Sequence, residues 1–176
     1  MQRLWAPWRL KYVTGAAAGE SPACVFCAAL DRAGPSPYLV FRGECTFAIL
    51  NKYPYNNGHL MVVPMRHIAR LADATAAELT ELITLTRVAE MALTESYGAH
   101  GINVGMNLGR PAGAGVVGHL HVHLVPRWDG DTNFMTVVGD TRVVPEEPAA
   151  SVARLKPVFE RLAAAPSAGD APCSSS

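Results

Sequence analysis

The chain contains 176 residues, of which 49% are apolar and 17% charged, so it is long enough to fold as one domain around a full hydrophobic core. Its 15 basic and 15 acidic residues give a formal net charge of zero, which disfavours a protein that binds nucleic acid through a large positive charge. No stretch approaches the roughly 18 consecutive apolar residues of a membrane span, and the first residues lack a signal-peptide core, so we expect a cytoplasmic protein without membrane or stable nucleic-acid partners.

The composition divides the chain into a domain and two flanking segments. Residues 1–23 are expected to form an N-terminal arm and loop, because the end of this segment is rich in Ala and Gly. Residues 24–165 carry the apolar patterns of a folded domain and include a C-terminal helix. Residues 166–176 have no apolar periodicity and are expected to be a disordered tail, in which Cys173 is incidental.

The first half of the domain shows short strand patterns. β-Favouring runs at Tyr38–Arg42 and Cys45–Leu50 flank Gly43 and Glu44, which predicts a hairpin. Leu60–Val63 predicts a third strand. The residues between these runs are typical of turns.

A long helix follows these strands. Thr75 and Glu78 form a T-x-x-E capping box in front of an apolar helical pattern, and Gly98 is a suitable end for the helix. Two further strands are predicted at Ile102–Met106 and Val116–Val125, on either side of a glycine-rich connection.

A final helix is predicted at about 149–165, in which Pro157 either introduces a kink or marks the true start. Strands joined by tight turns, then a helix, then more strands indicate an α+β fold. We therefore expect an antiparallel sheet of about five strands with one long helix and a C-terminal helix.

The segment GHLHVHLVPRW, at 118–128, carries three alternating histidines. In a strand, His119, His121 and His123 share one face at a spacing of roughly 7 Å, so they can present a nucleophile and proton donors to one phosphate. One alternative is a polar strand face without chemistry. Another is a metal site that includes Asp129 and Asp131, although Pro126 is expected to end the strand before them.

The motif HLHVHLV closely resembles the signature of the histidine-triad (HIT) superfamily, in which histidines alternate with apolar residues. The upstream block NKYPYNNGHLMVVPMRHIARL resembles the corresponding stretch of that family. The segments LWAPWRLKYV and PRWDGDTNFM are similar to its bacterial diadenosine polyphosphate phosphorylase (ATP adenylyltransferase) branch. The resemblance implies a HIT-like fold, a homodimer and an enzyme that acts on nucleotides.

The resemblance also implies roles for four histidines. His121, the middle member of the triad, would attack the α-phosphorus and form a nucleotidyl-histidine. His123 would contact the phosphoryl oxygens or protonate the leaving phosphate, and His119 completes the catalytic triad. His59 would pack beneath the nucleophile, and its alternative is an ordinary buried, hydrogen-bonded histidine.

Further residues are candidates for substrate binding. Asn51 matches the position that contacts the ribose, and otherwise forms a turn. In the loop at 107–115, Asn107 and the backbone of Gly113, Ala114 and Gly115 are expected to cradle phosphate. The chain departs from many family members because no Gln, Ser or Thr stands directly before the triad.

Trp128 is a candidate for stacking on a base or on the second nucleotide, and its alternative is simple burial. Among the arginines, those at 66, 110 and 127 are candidate phosphate partners, with solvated surface positions as the alternative.

The C-x-x-C pair Cys24 and Cys27 is by itself ambiguous between zinc, redox chemistry and no function. Some histidine-triad proteins bind structural zinc through such a pair and two histidines. The matching positions are His67 and His119, which would complete a tetrahedral Zn²⁺ site. No organic cofactor is expected.

The leading hypothesis is an enzyme that cleaves diadenosine tetraphosphate through His121 and uses inorganic phosphate to release ADP and ATP. An alternative with the same chemistry is a dinucleoside polyphosphate hydrolase or nucleoside phosphoramidase, in which water is the acceptor. Two hypotheses from other classes are a non-catalytic nucleotide-binding module and a metallohydrolase that uses the triad as metal ligands.

Overall fold

A computed structural model describes residues 24–30, 34, 36–131 and 146–165. The predicted arm and tail at 1–23 and 166–176 lie outside the described residues, so both remain predictions. In the ranges that are described, no helix has the length and apolarity needed to cross a membrane.

Among the described residues, five antiparallel strands form one sheet in the order β1-β2-β3-β5-β4. The strands are β1 (Leu39–Arg42), β2 (Thr46–Leu50), β3 (Leu60–Pro64), β4 (Gly101–Met106) and β5 (Val122–Arg127). β5 pairs with β3 on one side and with β4 on the other, so the strand that follows the triad motif lies inside the sheet. The predicted α+β class and strand number are confirmed.

Within the described ranges, three α-helices accompany the sheet: α1 (Val25–Ala29), α2 (Ala76–Tyr97) and α3 (Pro148–Ala164). α2 begins at the predicted capping box, in which Thr75 Oγ1 accepts from the Glu78 N–H and a Glu78 carboxylate oxygen accepts from the Thr75 N–H. It ends at Gly98, whose φ of 57° is left-handed. The short helix α1 has no counterpart among the sequence predictions.

The two faces of the sheet are covered by different elements. α2 and α3 cover one face through a core that includes Ala48, Val62, Leu82, Leu124 and Phe159. α1 lies on the opposite face, where Phe26 packs with apolar residues of β2 and β3. Alternation along each strand therefore divides the apolar residues between two layers.

The turn between β1 and β2 is held by α2. A Glu81 carboxylate oxygen accepts from the backbone N–H of Glu44 at 2.9 Å, and the second oxygen accepts from that of Cys45 at 2.6 Å. A Cβ atom at Gly43 would lie 2.0 Å from Glu81 Oε1, so a larger residue there would displace the carboxylate from the turn.

The prediction of a strand at Val116–Val125 is wrong at its first half, because β5 begins at Val122. The Leu120 N–H donates to the Ile68 carbonyl, which lies in the loop after β3 and outside the sheet ladder. The part of the alternating sequence that precedes Val122 is therefore hydrogen-bonded to a loop and not to a neighbouring strand.

Pro126 does not end β5 as expected, since the strand runs to Arg127. Pairing with β3 stops at Leu124, so at Pro126 the strand has a ladder partner only in β4. The Pro126 carbonyl, which points the same way as its nitrogen, accepts from the Asn56 amide. The missing N–H therefore removes no ladder bond.

Pro157 lies inside α3 and does not mark its start. Pro148 occupies the beginning of that helix instead, where an absent N–H costs no intrahelical hydrogen bond.

Candidate functional site

The triad lies on the α1 side of the sheet, where the segment leading into β5 passes the short helix. His121 is 4% exposed, and its ring lies 5.0 Å from the ring of Phe26, measured between centroids. On its other side, the His121 ring is 4.8 Å from that of His123. These contacts place the predicted nucleophile between an apolar wall and a second imidazole.

The hydrogen bond of His121 determines its tautomer. Its Nδ1 lies 2.7 Å from the His119 carbonyl oxygen, which can only accept, so Nδ1 carries the proton. Nε2 of the neutral ring is then the nitrogen with the lone pair. Burial lowers the pKa of His121 below its usual value, and the bond to the carbonyl partly offsets that effect. The ring is therefore neutral at pH 7 and able to act as a nucleophile.

His123 receives the opposite tautomer through a relay of hydrogen bonds. The Tyr55 backbone N–H donates to His59 Nδ1 at 3.1 Å, so the proton of His59 is on Nε2. His59 Nε2 in turn donates to His123 Nδ1 at 3.0 Å. The proton of His123 is therefore on its Nε2, so this ring offers a donor where His121 offers a lone pair.

The electrostatics of His123 agree with a neutral donor. Burial lowers its pKa to about 4, and repulsion from a charged His121 contributes in the same direction. Near pH 7 the ring is uncharged and donates a hydrogen bond from one nitrogen. His59 is 0% exposed, as expected both for a ring that packs beneath the nucleophile and for a buried, hydrogen-bonded histidine.

His119 lies with the other two rings, but its nitrogens face different partners. Its Nε2 donates to the Pro64 carbonyl at 2.8 Å, which leaves the Nδ1 lone pair toward Cys24 Sγ at 3.2 Å. Burial lowers the pKa of its ring. His119 is thus oriented as a metal ligand, and it contributes its backbone carbonyl to the orientation of His121.

Cys24, Cys27, His67 and His119 bring their ligand atoms within 4.8 Å of one another. Cys27 Sγ is 3.3 Å from His67 Nδ1 and 3.7 Å from His119 Nδ1. Bond lengths of about 2.3 Å to sulfur and 2.05 Å to nitrogen give a tetrahedral S···N edge of about 3.6 Å. The spacing and the donor set of two thiols and two imidazoles therefore fit a tetrahedral Zn²⁺ site.

The loop that carries His67 is anchored at both of its flanks. Arg66 donates to both carboxylate oxygens of Glu78 at 2.8 and 2.9 Å, which joins the loop to α2. On the other flank, the Ile68 carbonyl accepts from Leu120. These bonds hold His67 beside the start of the triad segment.

The glycine-rich loop is braced internally. Asn107 donates its side-chain amide to the Gly113 carbonyl at 3.4 Å, and Gly113 has a φ of 94°, which favours glycine. Ala114 is buried and its N–H donates to Gly109. Within the described part of the chain, the N–H groups of Gly115 and Val116 form no backbone hydrogen bond, so they are among the backbone donors that an anion could use.

Asn51 and Trp128 both have structural partners. Asn51 Oδ1 accepts from the Tyr53 N–H at 2.9 Å, as expected of a turn former. Its side chain also borders a cavity of about 240 Å³ between this turn and the start of α3. The Trp128 indole N–H donates to the Tyr97 carbonyl at 3.2 Å, and the residue is half-buried. The substrate roles of both residues remain predictions.

The arginines considered as phosphate partners differ in their engagement. Arg66 pairs with Glu78, and Arg127 pairs with Asp131, so both guanidinium groups already hold a carboxylate. Arg110 lies exposed at the start of a short 3₁₀ turn in the glycine loop. Of the three, Arg110 is the one whose position suits the predicted cradle.

Sequence reasoning missed two aromatic residues of the site, Phe26 and Tyr55. Phe26 lies between the two cysteines of the C-x-x-C motif, and an apolar residue there was a signal that this segment packs against the sheet. Tyr55 stacks on His59 with ring centroids 4.8 Å apart and an interplanar angle of 25°. No local pattern singled out Tyr55, because its contact depends on the path of the loop.

Comparisons with known proteins agree with this geometry. Residues 36–130 match the model of the HIT domain. The AP-4-A phosphorylase of Mycobacterium tuberculosis is 43% identical over 152 residues, which cover 83% of this chain and 78% of that protein. The asymmetrical bis(5'-nucleosyl)-tetraphosphatase of Schizosaccharomyces pombe is 36% identical over 93 residues, which cover 53% and 50% of the two chains.

Among solved structures, a Zn-bound histidine triad family protein from Mycobacterium smegmatis superposes with a TM-score of 0.66 at 26% sequence identity. The match covers 81% of this chain and 97% of that one. The triad motif, the five-stranded sheet and the family match lead to one conclusion. The chain belongs to the HIT domain family.

Proposed function

We propose that the protein cleaves diadenosine polyphosphates, with diadenosine tetraphosphate as substrate and inorganic phosphate as acceptor. The observation that carries this proposal is His121, a buried neutral imidazole whose Nδ1–H is held by a carbonyl and whose Nε2 has a lone pair. The M. tuberculosis relative, a phosphorylase of AP-4-A, supports the substrate and the acceptor.

The first step would form a bond between His121 Nε2 and the α-phosphorus. The bond from that phosphorus to the bridging oxygen breaks, and ATP leaves with the electron pair. The nucleotidylated ring carries a positive charge, which the hydrogen bond from Nδ1 to the His119 carbonyl stabilises. In the second step a phosphate oxygen attacks the same phosphorus, the P–N bond breaks, and ADP is released with neutral His121.

His123 would assist the departure of ATP. The relay from Tyr55 through His59 places the proton of His123 on Nε2, from which it can donate to the bridging oxygen or to a phosphoryl oxygen. The N–H groups of Gly115 and Val116 would bind the remaining phosphate oxygens. The negative charge on the phosphate oxygens in the transition state would thus be stabilised by hydrogen-bond donors that are themselves uncharged.

Product analysis tests the proposed reaction. The full-length protein is incubated with diadenosine tetraphosphate, with and without phosphate, and nucleotides are separated by chromatography. We expect ADP and ATP in equal amounts when phosphate is present, and loss of activity in His121→Ala. His100→Ala, which changes an exposed histidine paired with Asp129, is the matched control. AMP and ATP as products with phosphate present would instead identify a hydrolase.

The covalent intermediate has its own test. In the absence of phosphate, rapid mixing with substrate followed by mass spectrometry is expected to detect an adenylyl adduct on the peptide that contains His121. Full turnover without any adduct, and without exchange of labelled ATP into substrate, would contradict the two-step route.

We also propose that Cys24, Cys27, His67 and His119 hold a Zn²⁺ ion, as their spacing allows. A zinc ion with four protein ligands keeps no open position, so when bound it supplies a structural cross-link. His119 would join this cross-link to the nucleophile, because its carbonyl accepts from His121. Donation from its Nε2 to Pro64 would keep Nδ1 available as a ligand atom.

A homodimer is the proposed assembly. β4 is a terminal strand of the sheet, and Val104 at its centre is 52% exposed. An apolar edge strand of six residues is open to pairing with another strand, and a second copy of the chain offers the same edge.

A further inference from the structure

The hydrogen bond between the neutral rings of His59 and His123 is compatible with two arrangements of their protons. Either His59 Nε2 donates to His123 Nδ1, or His123 Nδ1 donates to His59 Nε2, with the same 3.0 Å between the nitrogens. In the first arrangement the proton of His123 is on Nε2. In the second, Nε2 has a lone pair and has no proton to give to a leaving group. The function of His123 therefore depends on a contact that favours the first arrangement.

The Tyr55 backbone N–H favours this first arrangement. It donates to His59 Nδ1 at 3.1 Å, and that bond exists only while Nδ1 carries no proton. Loss of the bond would remove its preference for the proton at His59 Nε2. The tautomer of His123 thus depends on the position of one backbone N–H in the loop at 51–59.

The sheet holds His59 directly, whereas Tyr55 lies in the loop. The residue after His59, Leu60, is paired with Leu124 of β5, and the His59 carbonyl accepts from the Asn51 N–H at 2.9 Å. Tyr55 lies four residues before His59 and outside the strands. The position of its N–H therefore depends on the contacts that anchor the loop.

Asn56, the next residue of this loop, is bonded to the strand that carries His123. Its side-chain Nδ2 donates to the Pro126 carbonyl and to Asp131 Oδ2, each at 3.0 Å. Its own carbonyl accepts from the His59 N–H at 3.1 Å, which closes the turn that leads into β3. Asn56 thus fixes the loop both to β5 and to the turn before β3.

The Asp131 carboxylate that accepts from Asn56 is itself held in place. Arg127 Nη2 donates to Asp131 Oδ1 at 2.7 Å, and the Trp128 N–H donates to Oδ2 at 3.3 Å. The Asp131 side chain is 11% exposed, and Arg127 holds its pKa well below the usual range, so it is ionised at pH 7. A hydrogen bond to an ionised acceptor is stronger than one between neutral groups, which makes it an effective anchor for the loop.

We propose that Asn56 is a positioning residue of the triad. Its amide holds the loop so that the Tyr55 N–H reaches His59 Nδ1, which keeps the proton of His123 on Nε2. The effect of Asn56 on turnover rests on the proposed cleavage of diadenosine polyphosphates, in which His123 Nε2 donates to the leaving group. Its effect on the tautomer is a property of the folded protein alone.

Nitrogen-15 NMR of the histidine rings tests the proposal without turnover, because protonated and unprotonated imidazole nitrogens give separate signals. Asn56→Ala removes the amide donor, and Asn56→Asp removes it while keeping the size of the side chain. In the wild type we expect the proton of His123 on Nε2, with its signals assigned by their loss in His123→Gln. In both Asn56 variants we expect the two His123 signals to move toward each other, as Nδ1 gains part of the proton.

Asn57→Ala is the matched control, since Asn57 is the next residue of the same turn and its side-chain oxygen has no hydrogen-bond partner within the described ranges. It is expected to leave the His123 signals unchanged. In steady-state kinetics with diadenosine tetraphosphate, kcat is expected to fall about tenfold in both Asn56 variants while KM changes little, since general acid catalysis contributes about 10²–10⁴-fold. Thermal melting of each variant confirms that the proteins compared are folded.

The proposal is overturned if His123 keeps its proton on Nε2 in the folded Asn56→Ala and Asn56→Asp proteins. It is also overturned if the tautomer changes while kcat does not, because Asn56 would then have no part in the reaction. Absence of cleavage by the wild type, together with the expected change of tautomer, would count against the proposed function and leave the positioning of His123 by Asn56 supported.

Discussion

Single hydrogen bonds distinguish chemically identical side chains in this site. His121 is buried and His123 is half-buried, and both are neutral imidazoles, yet a carbonyl holds the proton of one on Nδ1 and a relay holds the proton of the other on Nε2. The first ring thereby offers a lone pair and the second a donor. His59 accepts from the Tyr55 backbone N–H and donates to His123, so it determines which nitrogen of His123 carries the proton.

Replacing His59 tests this relay. In His59→Phe, the ring volume is retained but His123 Nδ1 loses its donor, and an unsatisfied buried group costs about 1–3 kcal/mol. We expect kcat for diadenosine tetraphosphate to fall between about fivefold and a hundredfold, with a smaller loss in His59→Gln, whose amide can donate. Steady-state kinetics provide the measurement, with His100→Phe as control. Unchanged kcat in His59→Phe would contradict the relay.

At the scale of elements, one residue in the first turn of α2 both caps the helix and holds the loop that carries His67. Glu78 caps the helix through Thr75 and also accepts from two nitrogens of Arg66, Nε and Nη2. Arg66 is adjacent to His67, so the end of the helix and the loop that carries His67 are held together. These bonds lower the pKa of Glu78 to about 2, with Arg66 as the largest cause.

The variant Glu78→Gln is expected to lower the free energy of unfolding by about 1–2 kcal/mol at pH 7. Because the folded-state pKa lies below the unfolded value of 4.5, this contribution is present above pH 4.5 and is lost as the pH falls toward 2. Urea unfolding across this range measures the difference between variant and wild type. The exposed Glu90, changed to Gln, is the control in the same helix, and an equal pH dependence in all three proteins would refute the prediction.

At the scale of the whole molecule, four side chains distant in sequence connect α1, the loop after β3 and the triad segment. Cys24 and His119 are 95 residues apart, and Cys27 and His67 are 40 apart. A metal ion bound by these groups closes long loops, which reduces the entropy of the unfolded chain. Zinc would therefore stabilise the fold as well as the site.

Cys27→Ser is expected to lose bound zinc and to melt several degrees lower, at about 2–4 °C for each kcal/mol in a chain of this size. Elemental analysis and thermal denaturation measure the two effects. Cys45→Ser is the matched control, because Cys45 lies outside the cluster. Equal zinc content in the wild type and Cys27→Ser would exclude the proposed site.

The dimer is tested at the exposed edge of the sheet. Val104→Lys introduces a charge at the centre of β4 and is expected to convert a dimer into a monomer, as measured by light scattering coupled to gel filtration. Leu71→Lys changes an exposed apolar residue of a 3₁₀ turn and is expected to leave the dimer intact. A wild-type monomer, or a dimeric Val104→Lys protein, would argue against pairing through β4.

The sequence by itself determined the elements with strong local signals. The capping box at Thr75 and the end at Gly98 predicted α2, and the short apolar runs predicted β1 to β4 within a residue or two. The alternation of the triad histidines was also readable, because side-chain direction along an extended chain depends only on neighbouring residues. These features depend on residues close together in the chain.

Only the tertiary structure decided which atoms of the site meet. Met61 is paired with His123 in the sheet, and this register brings His59 and Tyr55 to the triad. The Leu120 bond to Ile68, which moves the start of β5 to Val122, joins segments that are remote in sequence. The tautomer of His121 likewise follows from a backbone carbonyl, and that of His123 follows from the Tyr55 backbone N–H through His59. Sequence patterns record local preference, whereas these contacts arise from the packing of segments that are distant in the chain.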